Sequence, residues 1–185
     1  MFIHPSSVVC GAFWAGCEVL PPPCDAALLS TNSTASSCAR ALRAKSERSA
    51  RFAVVTGRRR IGKTALLLHA FGDATMLYFF VARQAERELC ETFRAEIEEK
   101  LGEPVGGAFA SFADVFDYVM RLAEKRPLVL VIDEFQDFLR VAPDVYSRMQ
   151  AIWDLRHARA KIALVVCGSV HSLMNRLFRD RKEPQ

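Results

Sequence analysis

The stretch VVTGRRRIGKTALLL, residues 54–68, constrains this chain more than any other. An apolar segment runs into Gly57, four variable residues and Gly62. Lys63, Thr64 and a second apolar segment follow. Two glycines so spaced let the backbone curl until successive N–H groups point inward, forming a concave nest for an anion. A helix opening at Gly62 adds the positive end of its dipole. The spacing fits G-x-x-x-x-G-K-[ST], the phosphate-binding loop, and the predicted strand before it and helix after it are the setting that loop requires. On this reading Gly57, Arg58, Arg59, Arg60, Ile61, Gly62, Lys63, Thr64 and Ala65 form a nucleotide cradle. Lys63 reaches the β- and γ-phosphates as a point charge, and Thr64 offers a hydroxyl to Mg²⁺. The three arginines occupy the variable positions. Their side chains face solvent, or contact a partner or the outer phosphates; the solvated reading is the plainer one.

The segments around the loop alternate in type. Residues 39–49 read as a short polar helix, 52–56 as a strand, 63–71 as a helix closed by Gly72, and 76–81 as an aromatic-rich strand. From Gln84 to Leu101 the apolar residues Leu89, Phe93, Ile97 and Leu101 recur every four positions, with Gly102 just past the end. Ser111 with Asp114 three residues on is a capping box for a helix whose apolar face is Phe112, Val115, Phe116, Val119 and Leu122. Pro127 ends it, and the unbroken apolar run 128–132 suits a strand covered on both faces. A helix over 145–157, a buried strand over 162–167 and a last helix over 172–178 complete the pattern. Strands alternating with helices predict an α/β fold with a parallel sheet.

The run LVLVIDEFQDF delivers Asp133 and Glu134 at the carboxyl end of a buried strand, the edge where ligands of open α/β sheets collect. Asp133 is the second candidate ligand of Mg²⁺, acting mostly through water. Glu134 is the candidate general base for the attacking water. Ser169, after the next strand in VVCGSV, is a candidate γ-phosphate sensor; a Gly-Ser turn after a strand is its bland alternative. His4, His69, His157 and His171 have no metal-binding spacing. The absence of Asn-Lys-x-Asp weakens a small-GTPase reading. Basic clusters at 156–161 and 176–182 solvate helix ends or touch nucleic acid, the former being the plainer reading.

The first 39 residues read differently from the rest. They contain no Lys or Arg, four of the six cysteines and the run Pro21-Pro22-Pro23. Cys10, Cys17 and Cys24 recur every seven residues, which is neither a C-x-x-C pair nor a usual zinc spacing, so unpaired thiols are the plainer reading. No basic start precedes the apolar stretch 8–20, which argues against an export signal, and no apolar run reaches the ~20 residues of a membrane span. The expected organisation is an atypical, disordered segment over 1–38 and a globular domain over 39–185, cytoplasmic in location. The net charge of +4 permits an acidic partner without requiring one.

The segments VVTGRRRIGKTALL, LYFFVARQAERELCETFRAEI, FADVFDYV, PLVLVIDEFQDF and ALVVCGSVHSLM, in this order, resemble the prokaryotic, especially archaeal, AAA-type P-loop ATPase family, itself related to the STAND NTPases. The resemblance spans residues 40–178. It implies the additional-strand-catalytic-glutamate class of P-loop NTPase, with ATP and Mg²⁺ as ligands. It gives Lys63, Thr64, Asp133, Glu134 and Ser169 the roles argued above (the Walker A and Walker B residues among them). Family members often assemble, so a protein partner or a second copy is expected. Two departures stand out. The aromatic-x-x-Arg-x-x-Glu-Leu segment that precedes the family's loop is missing from LLSTNSTASSCARALRAK, which, with the change of composition near residue 38, suggests that the first residues derive from a misread start or an upstream frame shift. The chain also stops soon after its fourth strand, so a truncated core without the fifth strand and helical lid is expected. Its phosphate-loop strand would then lie at a sheet edge. The leading reading is an ATP-binding core that hydrolyses ATP with Mg²⁺, weakened by truncation. The rivals are a non-catalytic ATP switch, a DNA-associated module and a remnant without turnover.

Overall fold

The computed structural model of the chain describes residues 8–9, 46–56, 65, 67, 71 and 74–168. Among the described residues, five strands form one sheet: β1 (Val8–Val9), β2 (Arg51–Thr56), β3 (Met76–Phe80), β4 (Leu128–Asp133) and β5 (Ile162–Gly168). Their order is β1-β2-β5-β4-β3. Strands β2, β5, β4 and β3 run parallel, and β1 is antiparallel to β2. Four helices are labelled: α1 (Glu86–Leu101), α2 (Phe112–Lys125), α3 (Phe138–Val141) and α4 (Val145–Arg156). A 3₁₀ turn, Phe135–Asp137, joins β4 to α3. This is the α/β architecture with a parallel sheet that the alternation of segments implies.

Every residue of β4 and β5 is buried, as their unbroken apolar runs require of strands covered on both faces. The pleat sorts the side chains. Phe52, Val54, Leu77, Phe79, Leu130, Ile132, Leu164 and Val166 join the core under α1, α2 and α4. Ala53, Val55, Val129, Val131, Ala163, Val165 and Cys167 form a second core with Leu67 and Phe71. Ala65, Leu67 and Phe71 are helical, within the helix expected over 63–71.

The helix boundaries follow local chemistry. Gly102 sits in the left-handed region at φ 68° and donates its N–H to the Glu98 carbonyl, closing α1. At the start of α2 the Asp114 Oδ2 accepts the Ser111 backbone N–H at 2.9 Å, as the capping-box pattern predicts. Burial of Phe112, Val115, Phe116, Val119 and Leu122 matches the expected apolar face.

One sheet edge differs from expectation. Val8 and Val9 pair with Val55 and Val54, so β2 is flanked on both sides at these positions and is not an open edge. A charge or proline rule cannot find a two-residue strand so far from its partner in sequence. The rest of the 1–38 segment lies outside the described residues, as do most of the helix expected over 39–49 and all of that over 172–178. At the opposite edge, the β3 backbone N–H of Tyr78 donates to Glu96 Oε1 of α1 at 3.4 Å. A side chain thus covers a group that an edge strand would otherwise offer to another chain.

Candidate functional site

The parallel register brings the expected site elements to one edge of the sheet. Thr56 pairs with Gly168, and Phe80 pairs with Asp133. Thr56 immediately precedes Gly57, and Gly168 immediately precedes Ser169. Strand β5 therefore lies between the strand that leads into the glycine loop and the strand that ends in Asp133. By alternation, Asp133 shares the face of Val129 and Val131, the face on which Leu67 and Phe71 pack. Gly57, Arg58, Arg59, Arg60, Ile61, Gly62, Lys63, Thr64 and Ser169 lie outside the described residues. Ala65 is helical and exposed.

The acidic pair is held by neighbours that sequence reasoning did not single out. Asp133 is 8% exposed. Its Oδ1 accepts the Glu134 backbone N–H at 2.8 Å, and its Oδ2 accepts the Tyr78 hydroxyl at 2.6 Å. Glu134 has φ 52° and ψ 37°, and among the described residues it alone, glycines aside, has positive φ. An L-residue in this left-handed region is strained by roughly 1–2 kcal/mol. Such strain persists only where the surroundings fix it. Gln136 Nε2 donates to Glu134 Oε2, and Gln136 is itself buried.

The surroundings that fix the turn are aromatic. Phe79 of β3 stacks on Phe93 of α1 at 4.3 Å, Phe93 meets Phe112 of α2 edge-on, and Phe112 lies 4.5 Å from Phe138. Phe138 in turn contacts Phe135, which meets Tyr146 of α4. The Tyr146 hydroxyl donates to the Phe135 carbonyl at 3.2 Å, and burial pushes its phenol pKa up. This row of rings grips Phe135, the first residue of the 3₁₀ turn, and Phe138, the residue after it, so the backbone just after Glu134 has little freedom. Arg83, in the loop after β3, adds a tether through Asp137 Oδ2 at 3.3 Å.

A metal ion at this edge would meet a donor set suited to Mg²⁺. Asp133 presents a carboxylate at the end of a strand, and Mg²⁺ is commonly held by one or two carboxylates together with substrate phosphates and water. A closed protein cage is not needed, and among the described residues no cluster of three or more metal-ligating side chains occurs.

The basic cluster at 156–161 has a structural occupation. Arg156 Nε donates to Asp117 Oδ1 at 2.5 Å and its Nη1 to Glu124 Oε1 at 2.8 Å, both on α2. Arg159 lies 3.6 Å from the same Glu124 oxygen. These pairs hold Arg156 in its charged form. His157 stacks on Trp153. The cluster at 176–182 lies outside the described residues. No helix among the described residues is long and apolar enough to cross a membrane.

Comparison with known proteins agrees with this fold. Residues 40–183 match a family described as an ATPase domain predominantly from Archaea. An uncharacterized protein of Methanocaldococcus jannaschii is 28% identical over 133 residues, which are 72% of this chain and 28% of the relative. A second uncharacterized protein of the same organism is 34% identical over 67 residues, covering 36% of this chain and 65% of the relative. The chain therefore spans only part of the length of these relatives. Among solved structures, the fold is similar to a Walker-type ATPase of Pyrococcus abyssi, with TM-score 0.59, 16% identity, and coverage of 80% of this chain and 47% of that one. It is also similar to Cdc6p from Pyrobaculum aerophilum, with TM-score 0.53, 20% identity, and coverage of 82% and 42%.

Proposed function

The chain belongs to the family of ATPase domains found predominantly in Archaea, and from that membership we propose that it binds ATP with Mg²⁺ and hydrolyses the terminal phosphate. Membership supports nucleotide binding of the ATPase kind; the residue roles are our reading. Backbone N–H groups of 57–64 wrap the triphosphate, and Lys63 adds its charge beside the β- and γ-phosphates. Thr64 and Asp133 would hold Mg²⁺, which supplies neutralisation of phosphate charge when bound. Glu134 accepts a proton from water as the water oxygen attacks the γ-phosphorus, and the bond to the departing ADP oxygen breaks. Ser169 hydrogen-bonds the γ-phosphate. ATP is the first partner; a protein partner or a second copy is the next.

The observation that carries this reading is the shared edge. Thr56, directly ahead of the glycine loop, and Asp133 end neighbouring strands of β5, and Asp133 faces the side on which Leu67 and Phe71 pack. One observation favours a second reading, a nucleotide-dependent switch without turnover: the Glu134 carboxylate is engaged by Gln136. The test is equilibrium binding of a fluorescent ATP analogue with and without Mg²⁺, alongside phosphate release, for the wild type, Lys63→Ala and Glu134→Gln. Mg²⁺-dependent binding lost in Lys63→Ala supports the site, and phosphate release lost in Glu134→Gln with binding kept supports hydrolysis. Binding that Lys63→Ala leaves intact would overturn the proposal. Binding without phosphate release in the wild type would favour the switch.

A further inference from the structure

The hydroxyl of Tyr78 is not accounted for by strand formation. In the parallel register Tyr78 lies opposite Val131, two residues before Asp133 and on the same face. A diagonal of this kind is within reach of a long aromatic side chain. Tyr78 uses that reach to donate to Asp133 Oδ2 at 2.6 Å, while Glu134 N–H occupies Oδ1 at 2.8 Å. The backbone of Tyr78 is itself tethered through its N–H to Glu96 of α1. A helix and a neighbouring strand thus aim one neutral donor at one carboxylate oxygen.

We infer that Tyr78 is a positioning residue that sets the orientation of the Asp133 carboxylate for Mg²⁺. The inference rests on the reading above that Asp133 holds the ion. Each carboxylate oxygen has about two acceptor sites. Donors on both oxygens fix the group in rotation. A carboxylate that turns freely must lose that freedom when the ion binds. Hydrogen-bond partners of metal-holding groups typically contribute about 10–100-fold to metal affinity. A purely structural hydroxyl, serving only to satisfy a buried carboxylate, would affect stability and leave the metal requirement unchanged.

The experiment titrates Mg²⁺ into the full chain with a fluorescent ATP analogue, at a temperature well below the melting point of each variant. Tyr78→Phe is expected to raise the Mg²⁺ concentration for half-maximal binding about tenfold. Nucleotide binding in EDTA is expected to stay within about twofold, because Tyr78 acts through the metal group alone. In an Asp133→Asn background, Tyr78→Phe should add nothing further. An unchanged Mg²⁺ requirement in Tyr78→Phe, or the same shift in both backgrounds, overturns the role while leaving the nucleotide site standing. If the wild type and Asp133→Ala bind nucleotide alike at every Mg²⁺ concentration, the reading of Asp133 fails and the role of Tyr78 falls with it. Should Tyr78→Phe not fold, Tyr78→His replaces it: its shorter ring cannot span the same diagonal, so a raised Mg²⁺ requirement is again expected and an unchanged one overturns the role.

Discussion

Glu86, the first residue of α1, accepts the backbone N–H of Phe112, the first residue of α2, at 2.7 Å. A helix N-terminus has donors that its own turns cannot satisfy, and here the carboxylate arrives from another helix. Phe112 is fully buried, so water cannot replace it. Glu86→Ala is expected to lower stability by about 1–2 kcal/mol, in the range for losing a cap or stranding a buried donor. For a chain of this size that is a fall of roughly 3–6 °C in melting temperature, read by circular dichroism.

Arg156 ties α4 to α2 through Asp117 and Glu124. Its side chain is 11% exposed, whereas the two acids keep about a quarter of theirs. Breaking a fully buried pair destabilises by about 3–5 kcal/mol, so Arg156→Ala should reduce stability by about 2 kcal/mol in this partly wetted setting. Urea unfolding measures it as a lower midpoint at unchanged slope. Asp117→Ala in the Arg156→Ala background should then add little, because the two act as one unit.

The left-handed backbone of Glu134 predicts unequal effects on stability and turnover. Glu134→Gly relieves roughly 1–2 kcal/mol of local strain, but it adds freedom to the unfolded chain and strands the buried Gln136 amide that donates to the carboxylate. These effects offset, so unfolding free energy should change by less than about 1 kcal/mol. Phosphate release should fall by about 10²-fold or more, the usual contribution of a positioned base. Thermal melts and a phosphate assay on one preparation check both.

Glu98 accepts the Val105 N–H at 2.9 Å and the Arg94 guanidinium at 3.2 Å. The Val105 hydrogen bond first, and Arg94 after it, hold its carboxyl below the usual range. A lowered folded-state pKa stabilises the fold at pH values above the unfolded pKa. That contribution disappears as pH falls through the folded value. Glu98→Gln should therefore melt slightly below the wild type at pH 7, and the gap should close as the pH drops below about 4. Melting curves of the two proteins from pH 7 to pH 3 test the convergence.

The elements themselves were legible because each rests on local chemistry. Apolar runs mark β4 and β5, Gly102 ends α1, and Ser111 with Asp114 opens α2. The relationships between elements were not. Tyr78 and Asp133 are 55 residues apart, and Arg156 and Asp117 are 39 apart. Only the register and the helix packing bring these pairs together. The run Arg156, His157, Arg159 looks like a basic surface when read alone, since its neutralising acids lie on another helix. Pairing of Val8 and Val9 with β2 escaped for the same reason: two valines carry no signal of where they will dock.

The place of β5 between β2 and β4 also sets a length. Neighbouring strands lie about 4.8 Å apart, so the ends of β2 and β4 are separated by roughly 10 Å. Under the proposed function, the loop after β2 and the Asp133 carboxylate would have to reach across that width to share one ion. The sheet thus works as a ruler, setting how far each side must extend.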